Sequence, residues 1–234
     1  MKRVVHRQPI GLAAVMAAWL MLPTPALAQR VGIATTVEGA VMVTRPTASQ
    51  PQPLRFKDEV FVQDRITTGQ QSVLRILLGG VAVVTMRERS LLRVAQEMDL
   101  ELPTGKIALA VAGEKLRGVC PDIRTPNAIV KVCGTIVIAE VSQTGAPTSP
   151  CSGDLTSRFT VTKGVISVAG LDPATGRPRG DWVHLGPSQT ITISGCNAPA
   201  RPAPDGKPVP GDIGKVSSTE LQALSETFRL RPSP

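Results

Sequence analysis

Thr190-Ile191-Thr192-Ile193-Ser194 alternates apolar and hydroxylated residues at every step, so Ile191 and Ile193 face one way and the hydroxyls the other. Phe159-Thr160-Val161-Thr162 repeats the pattern, Ile166 and Val168 flank an outward Ser167, and Val130 and Val132 oppose Ile129, Lys131 and Cys133. These runs are rich in β-branched residues, which pack well on a pleated surface. No long helical period interrupts them between Gly32 and Ser194. The expectation is an all-β fold.

Composition agrees. Apolar residues make up 42% and charged residues 19% of the 234, enough to bury a core and too little charge for wholesale disorder. Aromatics are 3% with no Tyr, so the interior must be built of Val, Ile, Leu and Ala. Gly and Pro, 21 each, favour many turns and short elements. A Gly followed by a short apolar strand recurs as Gly39-Ala40-Val41-Met42-Val43, Gly105-Lys106-Ile107-Ala108-Leu109 and Gly164-Val165-Ile166-Ser167-Val168. Chance recurrence in a Gly-rich β protein is one reading. The other is stacked two-strand units, as in a β-solenoid or β-roll.

The first 28 residues read as a signal peptide. Lys2, Arg3 and Arg7 precede an apolar run from Ile10 to Leu22, Pro23 and Pro25 break it, and Ala26-Leu27-Ala28 offers a small-x-small cleavage pattern. Cleavage between Ala28 and Gln29 is expected; the alternative is a retained N-terminal anchor, although the run is shorter than the roughly 20 residues a span needs. Gln29, not a Cys that could carry a lipid, stands directly after the cleavage pattern, and no span is expected in the mature chain. Cys120, Cys133, Cys151 and Cys196 all follow it. An even count in an exported chain implies two disulfides, with three connectivities open. No C-x-x-C is present, so neither a zinc ribbon nor a thioredoxin-type redox motif is indicated.

After Cys196 the composition shifts. Residues 197–216 hold Pro199, Pro202, Pro204, Pro208 and Pro210 and read as an extended linker. Residues 217–234 read as a short helical tail: Ser217 at the N-cap with Glu220 at N3 suits a capping box, and Leu221, Leu224 and Phe228 share one face. So short a helix needs a surface to dock on, and its own domain is the expected one.

Catalytic patterns are missing. His6 leaves with the signal peptide, so His184 is the single remaining His, placed by alternation beside Trp182 on one strand face. There is no G-x-S-x-G, Ser-x-x-Lys, Walker or G-x-G-x-x-G pattern. Asp172-Pro173-Ala174-Thr175-Gly176 begins like a calcium loop but lacks an oxygen ligand at its third position and a Glu at its twelfth, so it reads as a turn. Arg179-Gly180-Asp181 spells a cell-adhesion tripeptide that arises easily by chance. No cofactor and no metal site are expected. The net charge of +8 is spread along the chain without interleaved aromatics, which argues against nucleic acid and for a mildly cationic surface toward anionic envelope polymers or acidic proteins.

Laid out as strands, the chain resembles the FecR-type periplasmic domain family, named for the regulator of iron dicitrate transport. The resemblance lies in Gly39-Ala40-Val41-Met42-Val43, Asp64-Arg65-Ile66-Thr67-Thr68-Gly69, Ser72-Val73-Leu74-Arg75-Ile76 and Ser90-Leu91-Leu92-Arg93-Val94. It continues in Arg124-Thr125-Pro126-Asn127-Ala128, Val130-Lys131-Val132-Cys133-Gly134-Thr135, Phe159-Thr160-Val161 and Lys163 to Val168. Together these cover most of 32–194, within an all-β domain expected at 29–196. The resemblance implies a non-enzymatic extracytoplasmic module that binds or scaffolds envelope components. The alternative it implies is a periplasmic regulatory subunit coupled to a TonB-dependent transporter. Two departures stand out: Cys133 replaces a usual Arg, and a signal peptide stands where the family's transmembrane regulators carry an anti-sigma segment and a span. A free-standing periplasmic relative is therefore expected, its partner an envelope protein or anionic envelope polymer bound through the exposed β surface.

Overall fold

The structure is a computed structural model that describes residues 29–96, 98–112, 120–144, 155–196 and 213–228. The signal-peptide reading up to Ala28, most of the linker and Cys151 lie outside these residues, and Gln29 is the first inside them.

Alternating sequences bend repeatedly between two leaves of one open, 15-stranded sheet. β1 (Arg30–Glu38) lies in the first leaf and β2 (Val41–Thr44) in the second. β3 (Gln52–Pro53) and β4 (Glu59–Phe61) are short edge strands. β5 (Arg65–Thr68) in the second leaf leads to β6 (Val73–Leu78) in the first, and β7 (Ala82–Met86) in the first leads back to β8 (Leu91–Val94) in the second. β9 (Leu100–Val111), β11 (Ala128–Gln143) and β12 (Leu155–Leu171) are long enough to run through both leaves, with β10 (Asp122–Arg124) between β9 and β11 in the second. β13 (Pro178–Leu185) belongs to the second leaf, and β14 (Gln189–Ser194) and β15 (Ile213–Lys215) to the first. The first leaf is ordered β4-β1-β6-β7-β9-β11-β12-β14-β15, the second β3-β2-β5-β8-β9-β10-β11-β12-β13.

Register shows how the leaves join. Gly105 of β9 lies opposite Val141, whereas Ile136 of β11 lies opposite Ala110. The units up to β9 therefore bend at one edge of the first leaf, and those from β11 onward bend at the opposite edge. The second leaf is two flaps folded over from opposite edges and joined through β10. Within each flap neighbouring units run in alternate directions, as short hairpin connections require. Only the β9–β10 ladder is parallel among the described residues. The fold is all-β, as the alternation predicts, and its two-strand units are real. They stack as a folded meander, and the pairing shows no wound solenoid.

The recurrent glycines sit at the bends. Gly39, Gly105 and Gly164 have φ of 73°, 99° and 84°, a region other residues reach only with strain. Each packs on a hydroxyl of the neighbouring unit. Ala40 N donates to Ser72 Oγ (2.9 Å), Lys106 N donates to Ser90 Oγ (2.9 Å), and Thr135 Oγ1 donates to Val165 O (2.9 Å). A backbone group left unpaired by each bend is thereby satisfied without a ladder.

Between the leaves lies one core. Ile66, Leu92, Leu100, Ile123, Val130 and Val168 of the second leaf and Leu74, Ile76, Val84, Leu109, Val137 and Phe159 of the first belong to a single cluster of buried side chains. Ile191 and Ile193 are in it too, as their alternation requires.

At the C-terminus, the end of the expected linker forms β15 against Gln189–Ile191 of β14. This corrects the linker boundary: beyond Pro210 the chain regains free N–H groups, and Gly214 lets the backbone approach Thr190 closely. Helix α1 (Ser218–Thr227) follows, with Ser217 Oγ accepting from Glu220 N at 3.2 Å. It lies over the outer face of the first leaf, where Leu224 and Glu220 approach Ile138, Thr160 and Thr190, and Arg75 donates to Phe228 O at 3.4 Å. Phe228 and Val216 are buried there, outside the main core. Phe228→Ala is therefore expected to raise amide exchange across 213–228 at least tenfold while moving the domain's melting temperature by only a few degrees, since this is a local, separable contact. Equal loss of protection in β9 and β11 would show the helix to be part of the cooperative core.

Candidate functional site

On β5, Ile66 enters the core and Arg65 and Thr67 therefore face outward; on β8, Leu92 and Val94 enter it and Arg93 faces outward. Cross-strand register then places Thr44 opposite Arg65, Arg65 opposite Arg93, Arg93 opposite Glu101, and Glu101 opposite Arg124. Residues far apart in sequence become one row on the outer face of the second leaf. The sequence reading that its basic residues are scattered is corrected here: they are dispersed along the chain and gathered by register. Outward alternation marks each Arg singly, but only the strand order brings them together.

At one end of the row, Thr44, Arg45, Pro46, Gln63, Arg65 and Arg93 line a solvent-open hollow of about 490 Å³. Arg93 Nη1 pairs with Glu101 Oε2 at 3.0 Å, and its Nη2 donates to Gln63 Oε1. Gln63 is held at φ 71°, one of the few non-glycine residues in the left-handed region. The Arg45 guanidinium stands over the Phe61 ring, 5.0 Å from its centre, and donates from Nη2 to Glu59 O at 3.4 Å. Arg45 Nε is buried without a hydrogen-bond partner among the described residues. Arg65 is exposed and makes no ion pair among the described residues. Further along, Asp122 pairs with Lys131 at 3.1 Å and with Arg124 at 4.0 Å.

Asp64 lies beneath this face, fully buried, accepting from Phe61 N at 2.9 Å while its Oδ1 has no partner among the described residues. Burial holds its carboxyl above the usual range, opposed by the Phe61 N–H and the Arg45 charge. Asp99 is raised by burial as well. A raised folded pKa means that the folded state binds the proton more tightly, so stability falls as pH rises from the ordinary carboxylate value near 4 through the folded pKa. Asp64→Asn is expected to gain stability relative to the parent across that window in urea titrations. A pH-independent difference between the two would refute the assignment.

The other residues singled out in the sequence have plainer places. His184 is exposed, and its Nδ1 and Ser167 Oγ hydrogen-bond at 2.9 Å across the β12–β13 ladder. Trp182 shares that face, with Lys131 Nζ 5.6 Å from its ring centre. Asp172 caps the β12–β13 turn, its Oδ1 accepting from Ala174 N at 2.9 Å. Arg179 donates to Cys196 O at 3.2 Å. Cys120 and Cys133 form a disulfide, and Cys196 is also disulfide-bonded. The residues that carry the family resemblance hold the frame. Thr68 Oγ1 accepts from Ser90 N at 3.0 Å, and Asn127 is buried within a hydrogen-bond network. Among the described residues there is no group of His, Cys, Asp and Glu that could hold a metal, and no helix is long and apolar enough to cross a membrane.

A second surface lies on the outer face of the first leaf beside α1. Ile33, Leu77, Val83, Ala110 and Ile136 are successive cross-strand partners, and Ile33, Leu77 and Ile136 are exposed.

No family model matches the chain, and no curated protein matches it. Among solved structures, two of a "putative anti-sigma factor" from Parabacteroides distasonis ATCC 8503, at 1.65 and 2.50 Å resolution, are similar to it. Both are 15% identical with a TM-score of 0.47 and match 69% of this chain. The match covers 64% and 63% of those chains, so this chain spans less than two thirds of their length.

Proposed function

We propose that the chain is an exported, non-enzymatic, FecR-like module that binds a protein partner in the cell envelope through the outer face of its second leaf. The observation that carries this is the row Arg65–Arg93–Glu101–Arg124, in which Arg65 has no ion pair among the described residues while the polar groups of the bends and of the Asn127 network are spent on the frame. Export is supported by the signal-peptide pattern and by the Cys120–Cys133 disulfide, since disulfides persist in oxidising compartments. A protein partner suits the row better than a polymer of continuous negative charge, because Glu101 and Asp122 interrupt the cations and would repel it. Of the edge strands among the described residues, β3, β4 and β15 span two or three residues, too short for a partner strand to add on, and β13 alone is longer.

The test is photo-cross-linking in intact cells from a benzophenone amino acid at Thr67, which shares the face of Arg65, and at Leu77 on the first leaf. The expected result is one protein captured from Thr67 and not from Leu77, with capture reduced by Arg65→Glu or by high salt. Capture from Leu77 alone would overturn the assignment of the face. Capture of a TonB-dependent transporter or its regulator would give the module a signalling role.

A further inference from the structure

We propose that the hollow bounded by Arg45, Arg65, Arg93 and Gln63 is a carboxylate-binding subsite, occupied by an acidic side chain in an exposed segment of the protein partner. This rests on the reading of the second leaf as the binding face and adds the chemical group that it recognises.

Three features of the hollow converge on an oxyanion. Arg65 and Arg93 are directly opposed on neighbouring strands, where like charges destabilise the ladder unless a counter-charge lies between them. Glu101 answers Arg93 alone, which leaves Arg65 with no counter-charge paired to it among the described residues. Arg45 Nε is a buried donor with no acceptor among the described residues. Its guanidinium is also oriented before any ligand arrives, by the Phe61 ring on one side and Glu59 O on another. Gln63, fixed in the left-handed region, does the same for Arg93. Planar guanidinium groups held in place favour the two-oxygen geometry of a carboxylate.

The surroundings choose among sources of that chemistry. Beyond Arg93 the row continues with Glu101 and then Arg124, so the complementary ligand carries separated acidic groups around a neutral or basic one. A mixed acidic peptide meets that description. A phospholipid surface, with negative charge at every headgroup, would set charge against Glu101.

The chain from Gln29 onward, oxidised, would be titrated against a fluorescein-labelled octapeptide of alternating glutamate and threonine, inorganic phosphate, and phosphatidylglycerol vesicles. We expect saturable peptide binding that weakens at least tenfold in Arg65→Glu and is unchanged in Arg158→Glu, on the opposite leaf. In nitrogen-15 spectra the Arg45 Nε–H resonance should move on peptide addition, a readout that a purely structural Arg65 would not give. Phosphate should compete only weakly and vesicles should not bind. Unchanged affinity in Arg65→Glu, an Arg45 resonance unmoved at saturating peptide, or Arg65-dependent vesicle binding in place of peptide binding would each overturn the subsite. Should capture at Thr67 in cells survive Arg65→Glu, the face would stand and the subsite would fall.

Discussion

Gly105→Ala is expected to leave little folded protein. The residue has φ 99°, and a Cβ there would lie 2.3 Å from Ser90 Oγ and 2.4 Å from Ser90 Cα. The second of these is backbone, so no rotamer change relieves the overlap. Strain at a positive φ adds about 1–2 kcal/mol for a residue with a side chain. With the clash and the displaced Ser90–Lys106 bond, the total should exceed about 4 kcal/mol, a large fraction of a domain's stability. Gly80→Ala is the control: its φ is 72°, but nothing lies within 4 Å of the added carbon. There the cost should stay near 1–2 kcal/mol, the φ strain alone. Ser90→Gly in the Gly105→Ala background should recover only part of the loss, because Ser90 Cα remains. Urea denaturation of the four proteins measures each quantity. Equal losses at Gly105 and Gly80 would refute the bend contact as a determinant of the fold.

Those glycines show what was legible in the sequence and what was not. The alternation at Thr190–Ser194 and Phe159–Val168 depends on one strand at a time, and it gives the buried face correctly at Ile191, Ile193, Phe159, Val161, Ile166 and Val168. The Ser217 cap is equally local, and it too stands. The recurrence at Gly39, Gly105 and Gly164 suggests a turn before each strand. At Gly105 and Gly164, however, the chain bends within a single long strand, and the hydroxyl that each bend needs comes from another unit. That pairing depends on which strands are neighbours, and no single window of sequence encodes it. The stretch before Ile213 misleads for a related reason, since proline spacing describes the chain up to Pro210 and says nothing about β14 waiting beside it.

The arginine hollow is the same lesson at the site. Arg45, Arg65 and Arg93 are separated by 20 and 28 positions, each an ordinary outward or loop residue when read alone. Their convergence requires β2, β5 and β8 to be adjacent and in a register that opposes Arg65 to Arg93. A slip of one residue would turn these side chains inward and destroy both the hollow and the core. Fold and site are thus fixed by one set of ladders, so Arg65 and Arg93 can change with little effect on stability while the ladders cannot.

Asn127→Asp should be nearly as damaging as Gly105→Ala at neutral pH, and, unlike it, reversible by acid. Asn127 is fully buried, and its amide nitrogen donates to Ile193 O at 3.1 Å and to Gly195 O at 2.8 Å. Its amide oxygen accepts from Ser157 Oγ at 2.5 Å and from Thr125 Oγ1 at 3.3 Å. One side chain thereby ties the loop before β11 to the end of β14 and to β12, closing the second flap over the first leaf. Replacing the nitrogen by oxygen sets a carboxylate against two carbonyls and buries its charge, at a cost of about 3–5 kcal/mol. The introduced carboxyl faces acceptors in a dry site, so its folded pKa must lie above the unfolded value near 3.9. Stability lost at pH 7 should accordingly return as pH falls through the folded pKa, because the protonated form regains one donor. Asn127→Ala, which has no group to protonate, should lose comparable stability with no such recovery. Melting temperatures of both variants and the parent from pH 4 to 8 decide the matter: parallel curves for the two variants would refute the raised pKa of the introduced carboxyl, and a loss of only a degree or so in Asn127→Ala would show that the bonds to Ile193 and Gly195 are not what holds this flap closed.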